Sequence, residues 1–213
     1  MPLGPNIVAS EGHFKHIERY TCVNGPELPS HGSEKWMHRL FVALRPPPAL
    51  RGALLAHMGG IAGARWQNDD QLHLTLRFLG EVDRHQAEDI VAALGAVAHP
   101  PLTMKLHGIG CFDRRGHIAA IWAGVTPHDQ VRSLHAAVSR QLARVGIGAD
   151  ERAFTPHITI ARFSRGQEPS APLALDRLWP PPIEGRFDRF LLYESELTAT
   201  GPAYSVIERY PLV

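Results

Sequence analysis

Two short runs constrain this chain more than anything else in it: Leu72-His73-Leu74-Thr75-Leu76-Arg77-Phe78-Leu79-Gly80 and Phe154-Thr155-Pro156-His157-Ile158-Thr159-Ile160-Ala161-Arg162-Phe163. Each sets His-x-Thr inside an aliphatic run that reads as a strand. Side chains alternate between the faces of a strand, so His73, Thr75 and Arg77 are expected on one face, with Leu72, Leu74, Leu76 and Phe78 on the other. His157 and Thr159 stand likewise against Ile158 and Ile160. Arg162, five residues after His157, falls on the opposite face by strict alternation unless a bulge or the strand end re-aims it. With 13 His in 213 residues, roughly 0.5 His-x-Thr triplets would arise by chance, and requiring Leu or Ile at x and after Thr lowers that to about a hundredth. The repeat therefore predicts two matched strands, each burying an aliphatic face and presenting an imidazole beside a hydroxyl to a shared cleft.

The chain is long enough, and at 44% hydrophobic residues apolar enough, to bury a real core. A formal charge of +1 argues against sequence-blind binding to long nucleic acid, though a small phosphate-bearing ligand needs only a local basic cluster. Cys22 and Cys111 are too few for a disulfide framework. No apolar run approaches the ~18 residues of a membrane span, and the N-terminus lacks the basic-then-apolar plan of a signal peptide. A cytoplasmic location without membrane contact is expected. The histidines are mostly scattered, with no His-Glu-x-x-His and no Cys/His cluster, so neither a metal nor a cofactor is expected. Phosphate-cradling Gly-Lys loops, nucleophile elbows and dinucleotide fingerprints are also missing.

Residues 1–36 show no sustained periodicity and read as an extension of uncertain structure, with one short helical face through Phe14, Ile17 and Tyr20. The recognisable domain spans 37–213. Leu40–Leu44 reads as a buried strand stopped by Pro46-Pro47-Pro48, followed by a helix with Leu50, Leu54, Leu55 and Met58 on its inner side. Asp83 is the expected N-cap of a helix carrying Ile90, Val91, Leu94 and Val97. Strands near 102–111 and 118–125 precede a helix from about His128 to Val145, with Val131, Leu134, Val138 and Leu142 inward and Gly146 as its stop. A Pro-rich loop over 164–182 and two closing strands, near 187–193 and 204–210, complete the chain. Strands and helices do not alternate strictly, so the expected class is α+β. The duplicated His strand suggests a bilobal pseudo-two-fold arrangement, with two antiparallel-type sheets lining a central cleft and helices outside.

Imidazole is the side chain best suited to proton transfer near neutrality, and a pair can serve as base and acid in one turnover. A threonine hydroxyl can donate to a phosphoryl oxygen whose charge grows in the transition state. Neither run embeds a nucleophilic Ser or Cys or a carboxylate pair. That points to a substrate with its own strain or nucleophile, which a ribose 2',3'-cyclic phosphate attacked by water satisfies.

His73-Leu74-Thr75-Leu76-Arg77-Phe78-Leu79-Gly80 and His157-Ile158-Thr159-Ile160-Ala161-Arg162 resemble the paired signature of the two-histidine (2H) phosphoesterases, in particular the RNA 2',3'-cyclic phosphodiesterases, also called 2'-5' RNA ligases. Arg39-Leu40-Phe41-Val42-Ala43-Leu44 resembles the family's opening strand. Leu192-Tyr193-Glu194-Ser195-Glu196-Leu197 with Gly201-Pro202-Ala203-Tyr204 resembles its closing segment. The likeness covers about 37–213, and the extension departs from it. It implies His73 as proton donor and His157 as proton acceptor, Thr75 and Thr159 as phosphate ligands, and hydrolysis to a 2'-phosphomonoester without metal. Arg77, Arg162 and Phe41 are the expected substrate-binding residues. The partner is RNA with a 2',3'-cyclic phosphate end, or a small cyclic nucleotide, taken by a monomer. The alternatives are a related 2'-5' RNA ligase, a small cyclic-nucleotide phosphodiesterase, or a non-catalytic nucleotide-binding domain with the same cleft.

Overall fold

The computed structural model describes residues 37–114, 116–150, 152–167, 183–198 and 201–213. The expectations for residues 1–36, and for most of the Pro-rich loop, lie outside the described residues. In chain order the elements are β1 (His38–Leu44), α1 (Pro48–His57), β2 (Ala64–Trp66), a 3-10 turn (Asp69–Gln71), β3 (Leu74–Val82), α2 (Arg84–Gly95), β4 (Leu102–Arg114), β5 (His117–Thr126), α3 (His128–Arg144), β6 (His157–Phe163), β7 (Glu184–Phe187), β8 (Arg189–Thr198) and β9 (Gly201–Pro211).

All strand pairs are antiparallel, in the order β7-β4-β5-β6-β3-β1-β8-β9, with β2 added to β6. The two halves expected to form separate sheets are joined at the centre by one backbone pair, Leu74 with Ile158. Outward from that pair, β3-β1-β8-β9 and β6-β5-β4-β7 mirror one another. In each half a strand, a helix and a His strand succeed one another in sequence: β1, α1 and β3 in one, β5, α3 and β6 in the other. Past the central pair β3 and β6 part company, and β2 takes the vacated edge of β6, with Gln67 N–H donating to the Ile160 carbonyl at 2.9 Å.

The helices take the aliphatic side. α3 packs on β3 and on α2, α2 on β9, and α1 on β7. Leu74, Leu76, Ile158 and Ile160 are buried, as are Val131, Leu134, Val138 and Leu142 along α3. α1 starts on Pro48, whose missing N–H costs nothing in a first turn. α2 starts on Asp83, whose carboxylate accepts the Gln86 N–H at 3.0 Å. Some details differ from the sequence pattern. Leu55 faces solvent, and Ala53 takes the inner position beside Leu50 and Leu54. The penultimate segment is two strands, because the chain breaks step at Asp188 between β7 and β8.

Candidate active site

The Leu74–Ile158 pair determines what faces the cleft. In an antiparallel register this pair sets His73 opposite Thr159, and Thr75 opposite His157, with all four on the face away from the helices. Among the described residues neither threonine hydroxyl bonds to protein, which leaves both free to donate to a ligand.

Each histidine is held in the same way. His73 Nδ1–H donates to the Gln71 carbonyl at 2.7 Å, and His157 Nδ1–H to the Thr155 carbonyl at 2.7 Å. A carbonyl can only accept, so Nδ1 carries the proton and each Nε2 is left for the cleft, as a base when neutral and a donor when protonated. The Gln71 carbonyl is in turn fixed by the 3-10 turn. Asn68 and Gln71 cap one another reciprocally, and Gln71 Nε2 donates to the Pro202 carbonyl at 3.0 Å. Arg51 and Arg45 clamp Asp69 of the same turn at 2.6 and 2.8 Å, and the Arg51 guanidinium holds the Asp69 carboxyl below the usual carboxylate range.

Aromatic rings back both imidazoles. Phe41 and Tyr204 lie 5.0 and 5.1 Å from the His73 ring, with Tyr193 at 6.3 Å, while Phe112 and Trp122 lie 4.7 and 6.1 Å from His157. The indole of Trp122 occupies the place a side chain at Gly110 would need, so only glycine seats it there. Burial against these rings pushes the His73 pKa down to about 4, with Arg162 and His157 adding to the shift against the Gln71 carbonyl. His157 is lowered by burial and by Arg162. Strand alternation in the sequence does not reveal these aromatic walls, and Tyr193 and Tyr204 stand out in it only through the family likeness. The detectable signal is period-2 alternation, Leu191 with Tyr193 and Tyr204 with Val206, on strands whose pairing partners the sequence does not name.

The two arginines exchange the places that strict alternation predicts. In β3, Ala43 pairs with Thr75 but Val42 with Arg77, so Leu76 is an extra, bulged residue. In β6, Trp122 pairs with Thr159 but Ile121 with Ala161, so Ile160 is the extra residue. Both bulges fall three residues after the histidine, and each reverses the faces of the residues beyond it. Arg77 turns to the helix side, only 6% exposed, and donates to the Gly148 carbonyl. This corrects its expected place at the substrate. Arg162 turns to the cleft, where its charge lowers both imidazole pKa values further and opposes the rise that burial gives the Tyr204 hydroxyl. Among the described residues no carboxylate pairs with it. Its counterpart in the other half is Phe78, 52% exposed and 6.1 Å from the Phe41 ring. Phe41, also expected to touch substrate, is instead 3% exposed and stacked on Tyr193, where it supports His73 from behind.

A pair of mirror-placed imidazoles, with two hydroxyls and one guanidinium that are unpaired among the described residues, form a site for an anion that gains and loses protons. Among the described residues no three His, Cys, Asp or Glu side chains cluster as metal ligands would. No helix among them is long and apolar enough to cross a membrane.

A profile of the 2'-5' RNA ligase superfamily matches residues 46–199. The chain belongs to that superfamily. Among relatives within it, a Thermotoga maritima protein named RNA 2',3'-cyclic phosphodiesterase is 36% identical over 147 residues, 68% of this chain and 78% of that protein. A Thermus thermophilus protein of the same name is 34% identical over 184 residues, 82% of this chain and 90% of that one. The crystal structure of Escherichia coli LigT complexed with 3'-AMP matches with a TM-score of 0.69 at 26% identity, covering 84% of this chain and 99% of LigT. The α+β cleft of the superfamily is thus the fold of this chain, which is a 2H phosphoesterase.

Proposed function

We propose that the protein hydrolyses RNA 2',3'-cyclic phosphate ends to 2'-phosphomonoesters by metal-independent acid/base catalysis. The observation that carries this reading is the symmetric locking of both Nδ1 atoms, which presents two Nε2 atoms to one cleft beside the charge of Arg162. A water molecule gives one proton to the Nε2 of the basic histidine as its oxygen attacks phosphorus. The bond from phosphorus to the ribose 3' oxygen breaks, and that oxygen takes a proton from the Nε2 of the other histidine. The sum is addition of one water, leaving a 2'-phosphate and a 3' hydroxyl. Thr75 and Thr159 donate to the non-bridging oxygens, and Arg162 supplies the countercharge. Phe78 offers its exposed ring to a nucleobase, a stacking that any base can make.

By family resemblance His157 is the base and His73 the acid. Proton affinity as the protein groups alone set it runs the other way, since His73 is the one pushed down to about 4. An anionic phosphate between the two imidazoles raises both values, and the acid gains its proton with the substrate. The names of the relatives, and the 3'-AMP and phosphate held by LigT in its crystal structures, fit the same reading. The protein acts in the cytoplasm as a monomer.

The test is incubation with a short RNA bearing a 2',3'-cyclic end in EDTA, followed by mapping of the product phosphate. A 2'-phosphate formed without added metal is expected. A 3'-phosphate, turnover that needs a divalent ion, or binding without turnover overturns the proposal, the last in favour of a nucleotide-binding domain.

A further inference from the structure

The face that carries His73 does not end at its aromatic floor. Phe41, Ala43, Leu191 and Tyr193 form one buried cluster, with Tyr204 and Val206 packed on it. Leu191 and Val206 also line a separate cavity of about 410 Å³ at the far end of the same sheet face. Leu191 pairs with Ala43 on one side and with Arg209 on the other. The cavity therefore begins two strand residues, about 7 Å, beyond Tyr193. Five arginines line it, Arg45, Arg51, Arg186, Arg189 and Arg209, against one acidic residue, Asp188. Asp188 is taken by Arg189 at 2.8 Å, and Arg45 and Arg51 are held from the margin by Asp69 and Asp70. Among the described residues no carboxylate ion-pairs with Arg186 or Arg209.

We propose that this arginine-lined cavity is a second phosphate site, and that it takes backbone phosphates of an RNA strand whose cyclic end lies between His73 and His157. The proposal rests on the phosphodiesterase reading. A 2',3'-cyclic phosphate closes the 3' terminus, so every other phosphate of the strand leaves the reacting centre through the 5' oxygen and must lie along one wall of the cleft. Guanidinium groups present forked donors that match phosphate oxygens. The surroundings of Phe78 offer less: the cavity that Phe78 lines has Arg77 and Arg152 as its cations, and these are engaged by the Gly148 carbonyl and by Asp150. The near-neutral overall composition conceals this local excess of five arginines over Asp69, Asp70 and Asp188. The implied substrate class is oligonucleotide ends in preference to free cyclic mononucleotides.

The experiment compares the intact chain with an R186A/R209A variant on adenosine 2',3'-cyclic phosphate and on RNAs of two, three and five nucleotides with cyclic ends. For the unsubstituted protein kcat/KM should rise with length. In the variant, the ratio of kcat/KM for the five-nucleotide RNA to that for the mononucleotide should fall on the order of tenfold. The slope of log kcat/KM against log salt should flatten by about 1.4, at ~0.7 per phosphate lost. An unchanged ratio, or an equal fall on all substrates, overturns the site. Anisotropy of a labelled five-nucleotide RNA, which needs no turnover, separates this claim from the one beneath it. Arginine-dependent RNA binding by a protein that turns over no cyclic phosphate would keep the cavity and refute the phosphodiesterase. Unchanged affinity in the variant would refute the cavity whatever the turnover. Displacement of the RNA by sub-millimolar inorganic phosphate would assign the cavity to the free ion instead.

Discussion

Replacing Arg162 and Arg77 by methionine, one at a time, separates charge at the reacting phosphate from packing behind the sheet. The two residues sit on homologous strands, five and four positions after a histidine, and only the bulges at Leu76 and Ile160 send them to the faces they occupy. Arg162 faces the cleft with no carboxylate partner among the described residues, and its field already reaches both imidazoles. Losing a preorganised cationic donor of this kind costs about 3 kcal/mol of transition-state stabilisation, or ~100-fold in kcat, with little change in Tm. Arg77 is buried and satisfies the Gly148 carbonyl from the helix side. Methionine keeps the apolar stem and leaves that carbonyl unpaired, at a cost of about 1–3 kcal/mol in stability. At roughly 2–4 °C per kcal/mol for a chain of this size, Tm falls by several degrees, while kcat stays within about threefold. Turnover of a cyclic-ended RNA and thermal unfolding, measured on the same preparations, give both readouts. A kcat loss confined to Arg77→Met with Arg162→Met unaffected would show that the strands alternate without bulges, and would refute the geometry.

The same site dictates how the protein responds to pH and to two further substitutions. Turnover needs one imidazole protonated and one neutral; below about 4 both are charged and above the lowered His157 value both are neutral, so kcat/KM should be bell-shaped, peaking between about 4 and 6.5. A maximum above pH 7.5 would contradict the burial of both rings. Because the folded state disfavours protonated His73, its contribution to stability is full above about pH 6.5 and is lost as pH falls towards 4, which unfolding midpoints across that range would show. Gly110→Ala pushes a methyl group into the Trp122 indole, and should cost about 1–3 kcal/mol in stability and loosen His157, read as a lower Tm together with a lower kcat. Asp69→Ala releases Arg45 and Arg51 from the turn that holds the Gln71 carbonyl, and should lower kcat on the order of tenfold with the His73 Nδ1–H resonance broadened; a sharp resonance and normal kcat would sink that role.

The sequence made the family and the two paired strands more legible than the geometry between them. That His73, Thr75, His157 and Thr159 lie on adjoining strands was legible because two identical alternations are improbable by chance, and the helices because hydrophobic period and caps such as Asp83 are local signals. The bulges were not legible. Leu76 and Ile160 are ordinary strand residues, and their extra place in the ladder exists only against Val42, Ala43, Ile121 and Trp122 across the sheet. That one missing fact misplaced Arg77, left the face of Arg162 open, and hid Phe78 as its counterpart. Phe41 lies on the expected strand, but only the neighbouring Tyr193 and Tyr204 turn it from a ligand contact into a buried wall. The short strands β2 and β7 have no periodicity to read, and the clamp from Arg45 and Arg51 to Asp69 joins residues 24 and 18 positions apart.

The central claim, that two mirror-placed imidazoles act as base and acid on one phosphate, is tested most directly with a cyclic substrate whose 3' oxygen is replaced by sulfur. Sulfur leaves without a proton, so the histidine that serves as acid becomes dispensable while the one that activates water does not. On the oxygen substrate His73→Ala and His157→Ala should each lose about 100-fold or more. On the sulfur substrate His73→Ala should recover much of the unsubstituted rate and His157→Ala should not. Rescue of His157→Ala instead would reverse the two roles, and equal impairment of both variants on both substrates would contradict the acid and base pair itself.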